Sequence, residues 1–303
     1  MMPRYLITGG PGSLGKEICK SLLNLCDTKE IIMFSRNETK QFESSMSIND
    51  DRVKYVVGDI KNYDSLFTIM KGVDYVFHAA ALKHIDLAEK SPDETIKINV
   101  LGTSNVVNAA IQNGVKKVLL VSTDKSCIPT SIYGVSKLLS ERNVILSNGL
   151  SDTKFSVVRF GNLIGSNGSI FQKWKIIKDS DQRITVTHKD MTRFFIRSSE
   201  AAMWSVKFIK EMVGGELFVP KMKSANVYDI AKSFVSESQI DITGTRSGEK
   251  LDEDILSSLE LGTVEDLGEF FILHNDNKVN NFSYNSKNNK YWYSGKEIES
   301  FFD

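Results

Sequence analysis

Short apolar runs alternate with helically spaced apolar positions through the first half of this 303-residue chain. Segments 4–8, 30–35, 53–59, 74–80, 116–122 and 154–159 are compact, largely apolar runs, and they predict strands. Between the first two, Leu14, Ile18, Leu22 and Leu25 recur at helical spacing, so 12–26 predicts a helix. Pro92 opens a further helix and Gly114 follows its end, the usual asymmetry between a residue without an amide proton and one without a side chain. Strand–helix alternation of this kind predicts an α/β fold, a doubly wound parallel sheet covered on both faces. Right-handed crossovers then bring the strand ends, and any ligand, to one edge.

Beyond Asn162 the alternation fades. Segment 165–169 reads as a loop, 216–220 as a strand rejoining the first domain after Gly214-Gly215, and 226–235 as a helix with Val227, Ile230 and Phe234 on one face. Seven asparagines crowd 275–289, which predicts loop or edge rather than regular structure. The expected division is a nucleotide-binding domain over 1–162, rejoined by a segment near 193–237, and a smaller α/β domain, mainly for substrate, over 163–303. No internal repeat is apparent.

Composition narrows the classes of partner. Hydrophobic residues make up 41% and charged residues 25%, as in ordinary globular domains. The formal net charge is zero, which removes the electrostatic case for nucleic acid or an anionic membrane. Cys19, Cys26 and Cys127 are scattered without metal spacing and fit a reducing, cytoplasmic compartment. His78, His84, His188 and His274 lie too far apart to suggest a metal site. No apolar run approaches the roughly 20 residues that a bilayer requires, and the early glycines leave no room for an apolar targeting core.

Two clusters carry chemistry. Gly9, Gly12 and Gly15, with Ser13 and Leu14 between them, follow the first strand and open the first helix. That context permits a tight turn and close approach of a pyrophosphate to the helix N-terminus. The second strand ends at Ser35-Arg36 with Lys40 nearby and carries no acidic residue for a ribose 2′-hydroxyl, so a 2′-phosphate and NADP are expected rather than NAD. Asp59-Ile60 closes the third strand, where Asp59 suits either an adenine amino group or the cap of the next helix. Ala79 and Ala80, at the end of the fourth strand, complete the expected cofactor contacts.

The second cluster is Thr123-Asp124-Lys125 followed by Tyr133 and Lys137. Tyr-x-x-x-Lys on a helix puts a phenol and an ammonium one turn apart on one face, which suits a tyrosine that acts as a base in redox chemistry. An acid, Asp124, and a second base, Lys125, at the same strand end point to more than redox.

The glycine pattern, Asn99 and the Tyr133/Lys137 pair resemble the extended short-chain dehydrogenase/reductases, which have a Rossmann fold. Five further segments stand in order: 79–84 (AAALKH), 122–125 (STDK), 159–162 (RFGN), 191–194 (MTRF) and 246–251 (RSGEKL). Together they resemble the nucleotide-sugar 4,6-dehydratases of bacterial polysaccharide biosynthesis, and most of all those that act on UDP-N-acetylglucosamine with inversion at C5. Asn167, Ser247 and Asp252 depart from the arginine, proline and histidine usual in that family. Membrane-anchored relatives carry a long N-terminal extension, so the short, soluble form is the expectation.

The resemblance implies a lyase that oxidises C4 of a UDP-sugar, eliminates water across C5–C6 and returns hydride to C6, with the cofactor regenerated at each turnover. It gives Tyr133 the O4 proton, Thr123 an aiming hydrogen bond, Lys125 the C5 proton and Asp124 the departing C6 hydroxyl. Lowering a phenol from ~10 to ~7 requires about 4 kcal/mol, and Lys137 with the nicotinamide charge is the expected source. Lys83, Asn162, Arg193, Arg246 and Glu249 are the implied substrate contacts, the two arginines on the diphosphate. A homo-oligomer is implied as well. A nucleotide-sugar 4-epimerase would use Tyr133 and Lys137 without Asp124-Lys125, and a catalytically silent NADP-binding protein would be expected to lose the tyrosine or the lysine.

Overall fold

The structure, a computed structural model, describes residues 2–25, 27–166, 168–178, 182–246 and 248–301. Cys26, Asn167 and Ser247 lie outside the described residues. In chain order the first half comprises β1 (Arg4–Thr8), α1 (Ser13–Leu23), β2 (Glu30–Ser35), α2 (Glu38–Ser47), β3 (Val53–Val57), α3 (Tyr63–Ile69), β4 (Tyr75–His78), α4 (Ile85–Lys90), α5 (Pro92–Thr95), a π-helical turn (Ile96–Leu101), α6 (Gly102–Gln112), β5 (Lys117–Thr123), a 3₁₀ turn (Asp124–Ser126), α7 (Ile132–Leu146) and β6 (Lys154–Phe160). The second half adds β7 (Asn162–Ile164), α8 (Ile170–Lys178), β8 (Ile184–Val186), β9 (Thr192–Arg197), α9 (Ser198–Glu211), β10 (Glu216–Pro220), β11 (Lys223–Asn226), α10 (Val227–Phe234), β12 (Ile240–Ile242), β13 (Asp254–Leu256), β14 (Leu261–Asp266), β15 (Phe270–Val279), β16 (Tyr284–Asn285) and α11 (Gly295–Glu299).

One nine-stranded sheet runs β14-β15-β10-β6-β5-β4-β1-β2-β3. From β10 to β3 every pairing is parallel, and β15 and β14 add an antiparallel edge. Strand order reverses between β1 and β4, the switch point at which open α/β sheets bind ligands. The fold is the doubly wound α/β architecture that the alternation predicts. It forms because β1, β2, β4, β5 and β6 are largely apolar and buried on both faces. Helix α1 lays Leu14, Ile18 and Leu22 on the sheet, each worth roughly 1.5–3 kcal/mol on burial.

Three small sheets, β11-β9-β7, β12-β8 and β13-β16, flank the large one. A second apolar cluster, with Phe171, Trp174, Phe195, Ile230 and Phe301 among its members, lies under β8, β9 and α10.

Some predicted bounds shift. The strands at 53–59 and 74–80 stop at Val57 and His78, and α1 ends at Leu23 with Asn24 as its cap. The single helix expected between Pro92 and Gly114 is three pieces, with the π-helical turn in the middle. The asparagine-rich stretch is more regular than predicted. β15 continues to Val279 against β14 at the edge of the large sheet, and β16 pairs with β13 in a small sheet of its own, because both backbones find strand partners despite their polar sequence.

Candidate active site

Gly9 follows β1 at φ +70°, and a Cβ there would lie 2.8 Å from the Ala80 nitrogen and 2.9 Å from the Ala79 carbonyl carbon. Glycine alone satisfies both the backbone angle and the contact. Gly15 packs as tightly, since its Cβ would lie 2.3 Å from the Gly10 oxygen. Gly12 is the N-cap of α1 and brings no side-chain cap, so the positive end of the helix stays open to the close approach of an anion. Leu14 itself is buried in the core.

At the end of β2, Arg36 is more than half exposed and stands 3.7 Å from Glu94 and 4.0 Å from Asp59. Lys61 joins the same cluster, 2.8 Å from Glu94. Asp59 accepts from the Lys61 amide at 3.0 Å, while Asn62 caps α3. Ser35 accepts weakly from the Asn37 amide at 3.4 Å, and Asn37 caps α2 at the Lys40 amide. Ile60 is buried, and a Cβ on Gly102 would lie 2.7 Å from its tip.

The π-helical turn presents Asn99. Its side chain accepts from the Leu82 amide at 2.8 Å and donates to the Leu82 carbonyl at 3.0 Å and to Ser136 Oγ at 2.9 Å. It therefore fixes the loop carrying Lys83 to α7, next to Lys137. Inserted residues of this kind recur at functional sites.

Thr123 ends β5, and the 3₁₀ turn presents Asp124 and Lys125. Thr123 Oγ1 donates to Asp124 Oδ1 at 2.9 Å, and Lys125 Nζ donates to the same oxygen at 2.9 Å and to Asn162 Oδ1 at 3.1 Å. Asp124 is fully buried, and its Oδ2 has no hydrogen-bond partner. Tyr133 is buried beside them. Burial pushes its phenol up to about 12, while the Lys125 ammonium and the Thr123 hydroxyl pull the other way.

The two lysines differ in their surroundings. Lys125 is the cation that acts against burial at the Tyr133 phenol. Lys137 Nζ instead donates to the Val121 carbonyl at 2.8 Å, and burial brings it down to about 8. Lys125 is not shifted towards a free amine. Burial acts to lower it, but the carboxylates of Asp124 and Glu253 outweigh that and raise it. Arg193 is not poised for a diphosphate. It is buried and donates to the carbonyls of Thr192 at 2.7 Å, Leu251 at 2.9 Å and Lys250 at 2.8 Å, so its guanidinium ties β9 to the segment before β13.

That segment closes over the 3₁₀ turn. Lys250 Nζ donates to the Cys127 carbonyl at 2.7 Å, and Thr130 Oγ1 donates to the Gly248 carbonyl at 2.6 Å. Glu249 Oε2 accepts from the Arg246 amide at 3.1 Å. The Arg246 guanidinium is exposed, 3.5 Å from Asp86 on α4. Asp252 accepts from Thr192 Oγ1 at 2.7 Å, a structural use for that departure.

Sequence reasoning missed two groups. Glu253 lies 3.7 Å from Lys125 Nζ; its signal was a carboxylate two positions before the apolar pair Ile255-Leu256, just beyond the segment 246–251 predicted to touch substrate. Arg159, Glu141 and Glu260 form a buried ion triad behind the turn. Ser126 Oγ donates to Glu141 at 2.6 Å, and Cys127 Sγ lies 3.4 Å from Glu260. Its traces were an arginine closing an otherwise largely apolar predicted strand and the segment 159–162 that it opens.

The polysaccharide biosynthesis protein family matches residues 5–275. The chain belongs to that family. Among its relatives, the UDP-N-acetylglucosamine 4,6-dehydratase (inverting) of Campylobacter jejuni is 36% identical over 317 residues, covering 97% of this chain and 95% of its own. A UDP-glucose 4-epimerase of Rickettsia bellii is 36% identical over 305 residues, covering 96% and 87%. The X-ray structure of Pen from Bacillus thuringiensis superposes with a TM-score of 0.91 at 34% identity, covering 99% of this chain and 96% of that one. These family members bear out the resemblance that the segments predict. Among the described residues, no helix is long and apolar enough to cross a membrane.

Proposed function

We propose that the protein is a UDP-N-acetylglucosamine 4,6-dehydratase, inverting at C5, and therefore a lyase on a redox scaffold. The observation that supports this reading is the hydrogen-bonded pair Asp124–Lys125 beside Tyr133. An epimerase needs a base for one hydroxyl and has no work for that pair, although several relatives carry the epimerase name.

A nicotinamide coenzyme fits the chain's own residues, with the Gly9 turn and the uncapped start of α1 as its pyrophosphate cradle. When bound, it supplies the acceptor and donor of hydride. NADP is the form we propose. Arg36, exposed and held only loosely by carboxylates 3.7 and 4.0 Å away, can turn to a 2′-phosphate, and Lys40 adds charge.

The chain's residues then divide the proton transfers. Tyr133 takes the O4 proton as C4 is oxidised, with Thr123 aiming the hydroxyl and Lys137 holding the coenzyme ribose. Asp124 and Lys125 start as carboxylate and ammonium. Moving one proton along their 2.9 Å bond yields a carboxylic acid and a free amine, the acid for the C6 hydroxyl and the base for C5. In water that transfer costs about 9 kcal/mol from the ordinary pKa values. Excluding water destabilises the ion pair relative to the neutral pair and reduces the cost. Asn162, Lys83, Arg246 and Glu249 are the proposed substrate contacts; Arg193 acts by fixing the segment that carries Glu249 and Glu253.

Two coarser features belong to the same reading. Val135, Leu139 and Leu146 on α7, with Leu101 on the π-helical turn, are exposed apolar residues and suit a homo-oligomer interface. Cys19 and Cys127 are unpaired and buried, in keeping with a cytoplasmic enzyme. The decisive experiment is NMR of the product from UDP-N-acetylglucosamine in deuterated water. A 4-keto-6-deoxy sugar with deuterium at inverted C5 is expected, and a galacto epimer alone would refute the proposal. Lys125→Ala is expected to lose dehydration by 10²-fold or more, the lower range for a general base, while still binding NADP.

A further inference from the structure

Glu253 sits immediately before β13, and its side chain is almost wholly buried. Its backbone is clamped, with its amide donating to Ser286 Oγ at 2.9 Å and its carbonyl accepting from the Ser286 amide at 2.9 Å. The carboxylate is therefore delivered to a fixed place. Three cations surround it, Lys125 Nζ at 3.7 Å, Arg193 Nε at 3.7 Å and Lys250 Nζ at 3.5 Å. Its Oε2 is buried with no hydrogen-bond partner.

A buried carboxylate whose cations all stand outside hydrogen-bond reach costs folding free energy. Replacing it with an apolar residue of similar size would remove that cost. A buried carboxylate oxygen left unsatisfied in this way calls for an explanation, and a role in the site is one. We propose that Glu253 is a further positioning residue of the site: brought in from the C-terminal half of the chain, it holds the Lys125 ammonium jointly with Asp124 and sets the proton affinity of that lysine. The proposal rests on the reading of Lys125 as the base at C5.

The charged and titratable groups that face Lys125 are Asp124 on its own turn, Glu253 before β13, Arg193 on β9 and Tyr133 on α7. Asp124 and Glu253 favour the ammonium, and Arg193 opposes it. A unit charge at 3.7 Å shifts a titration by about one pH unit at the dielectric of water, and by more in a drier site.

The test is the titration of Lys125 in the intact protein, followed by NMR of ¹³Cε-labelled lysine with the resonance assigned through Lys125→Ala. In Glu253→Gln the midpoint is expected to fall by at least about one unit, and Glu253→Asp, which keeps the charge, is expected to recover most of the shift. Kinetically, Glu253→Gln is expected to change kcat and the pH limb that reports Lys125, with KM within about twofold, since it removes no interaction proposed for the bound substrate. A Lys125 midpoint that stays at its wild-type value in folded Glu253→Gln would overturn the inference. If Glu253→Gln does not fold, the midpoint is read in Glu253→Met, which removes the charge at similar size, and an unchanged midpoint there would overturn it equally. The titration needs no turnover, so the two readings fail separately. A wild-type protein that makes no 4-keto-6-deoxy sugar sinks the dehydratase reading, whereas an unmoved lysine in an active dehydratase sinks this one alone.

Discussion

Replacing Arg159 by methionine perturbs the buried ion triad that backs the 3₁₀ turn of Asp124 and Lys125. The guanidinium is 1% exposed and donates five hydrogen bonds, to Glu141 at 3.0 and 2.7 Å, to Glu260 at 3.0 and 2.6 Å and to the Ile255 carbonyl at 2.9 Å. Methionine fills most of the volume but leaves two carboxylates buried without their cation. Breaking a buried pair from one side costs about 3–5 kcal/mol, a large share of the roughly 5–15 kcal/mol that holds a domain together. The sign with pH follows from Glu260. Burial would raise its pKa, but Arg159 and the hydrogen bonds overcome that and hold it below the usual range. In the wild type this contribution is complete above the unfolded value near ~4.3 and is lost only below it. Without Arg159 the burial effect prevails, so the variant gains stability as its carboxylates take up protons. Urea unfolding at pH 8 and pH 5, followed by tryptophan fluorescence, is therefore expected to show a difference from wild type of about 3 kcal/mol or more at pH 8 that shrinks at pH 5. Adding Glu260→Gln is expected to recover part of the loss. A difference below about 1 kcal/mol at pH 8, or one equal at both pH values, would refute the reasoning.

Gly9→Ala is expected to destabilise the fold by about 2 kcal/mol or more, from the positive φ and the contact with the Ala79–Ala80 backbone, and to abolish coenzyme binding in a calorimetric titration. Arg36→Ala is expected to weaken NADP binding at least tenfold, as loss of a charge-assisted phosphate contact does, with NAD binding nearly unchanged; equal effects on the two would count against a 2′-phosphate contact. Tyr133→Phe is expected to lower kcat by about 10²–10⁴ while thermal unfolding stays close to wild type, because the ring keeps its packing and only the hydroxyl beside Thr123 is lost.

Much of the molecule is legible along the chain because its signals are local. Apolar runs separated by helical spacing specify a parallel sheet, since each crossover must bury one face of its helix. Gly9, Gly12 and Gly15 announce a backbone that must bend and be approached, which no other residue type permits. Asp124, Lys125, Tyr133 and Lys137 lie within one strand–turn–helix unit, so their proximity is written in their spacing. What the sequence alone left undecided depends on residues far apart. Arg193 reads as a phosphate ligand until the segment at 250–251 is seen to occupy its guanidinium. Glu253 reaches Lys125 from 128 positions away, and Glu260 reaches Arg159 from 101. Such contacts exist only after the C-terminal segment has folded over the sheet edge, because a charge acts through distance in space. Composition, periodicity and motif chose the scaffold and the proposed reacting groups, and tertiary packing chose which cation faces the tyrosine and which carboxylates stand beside the lysine.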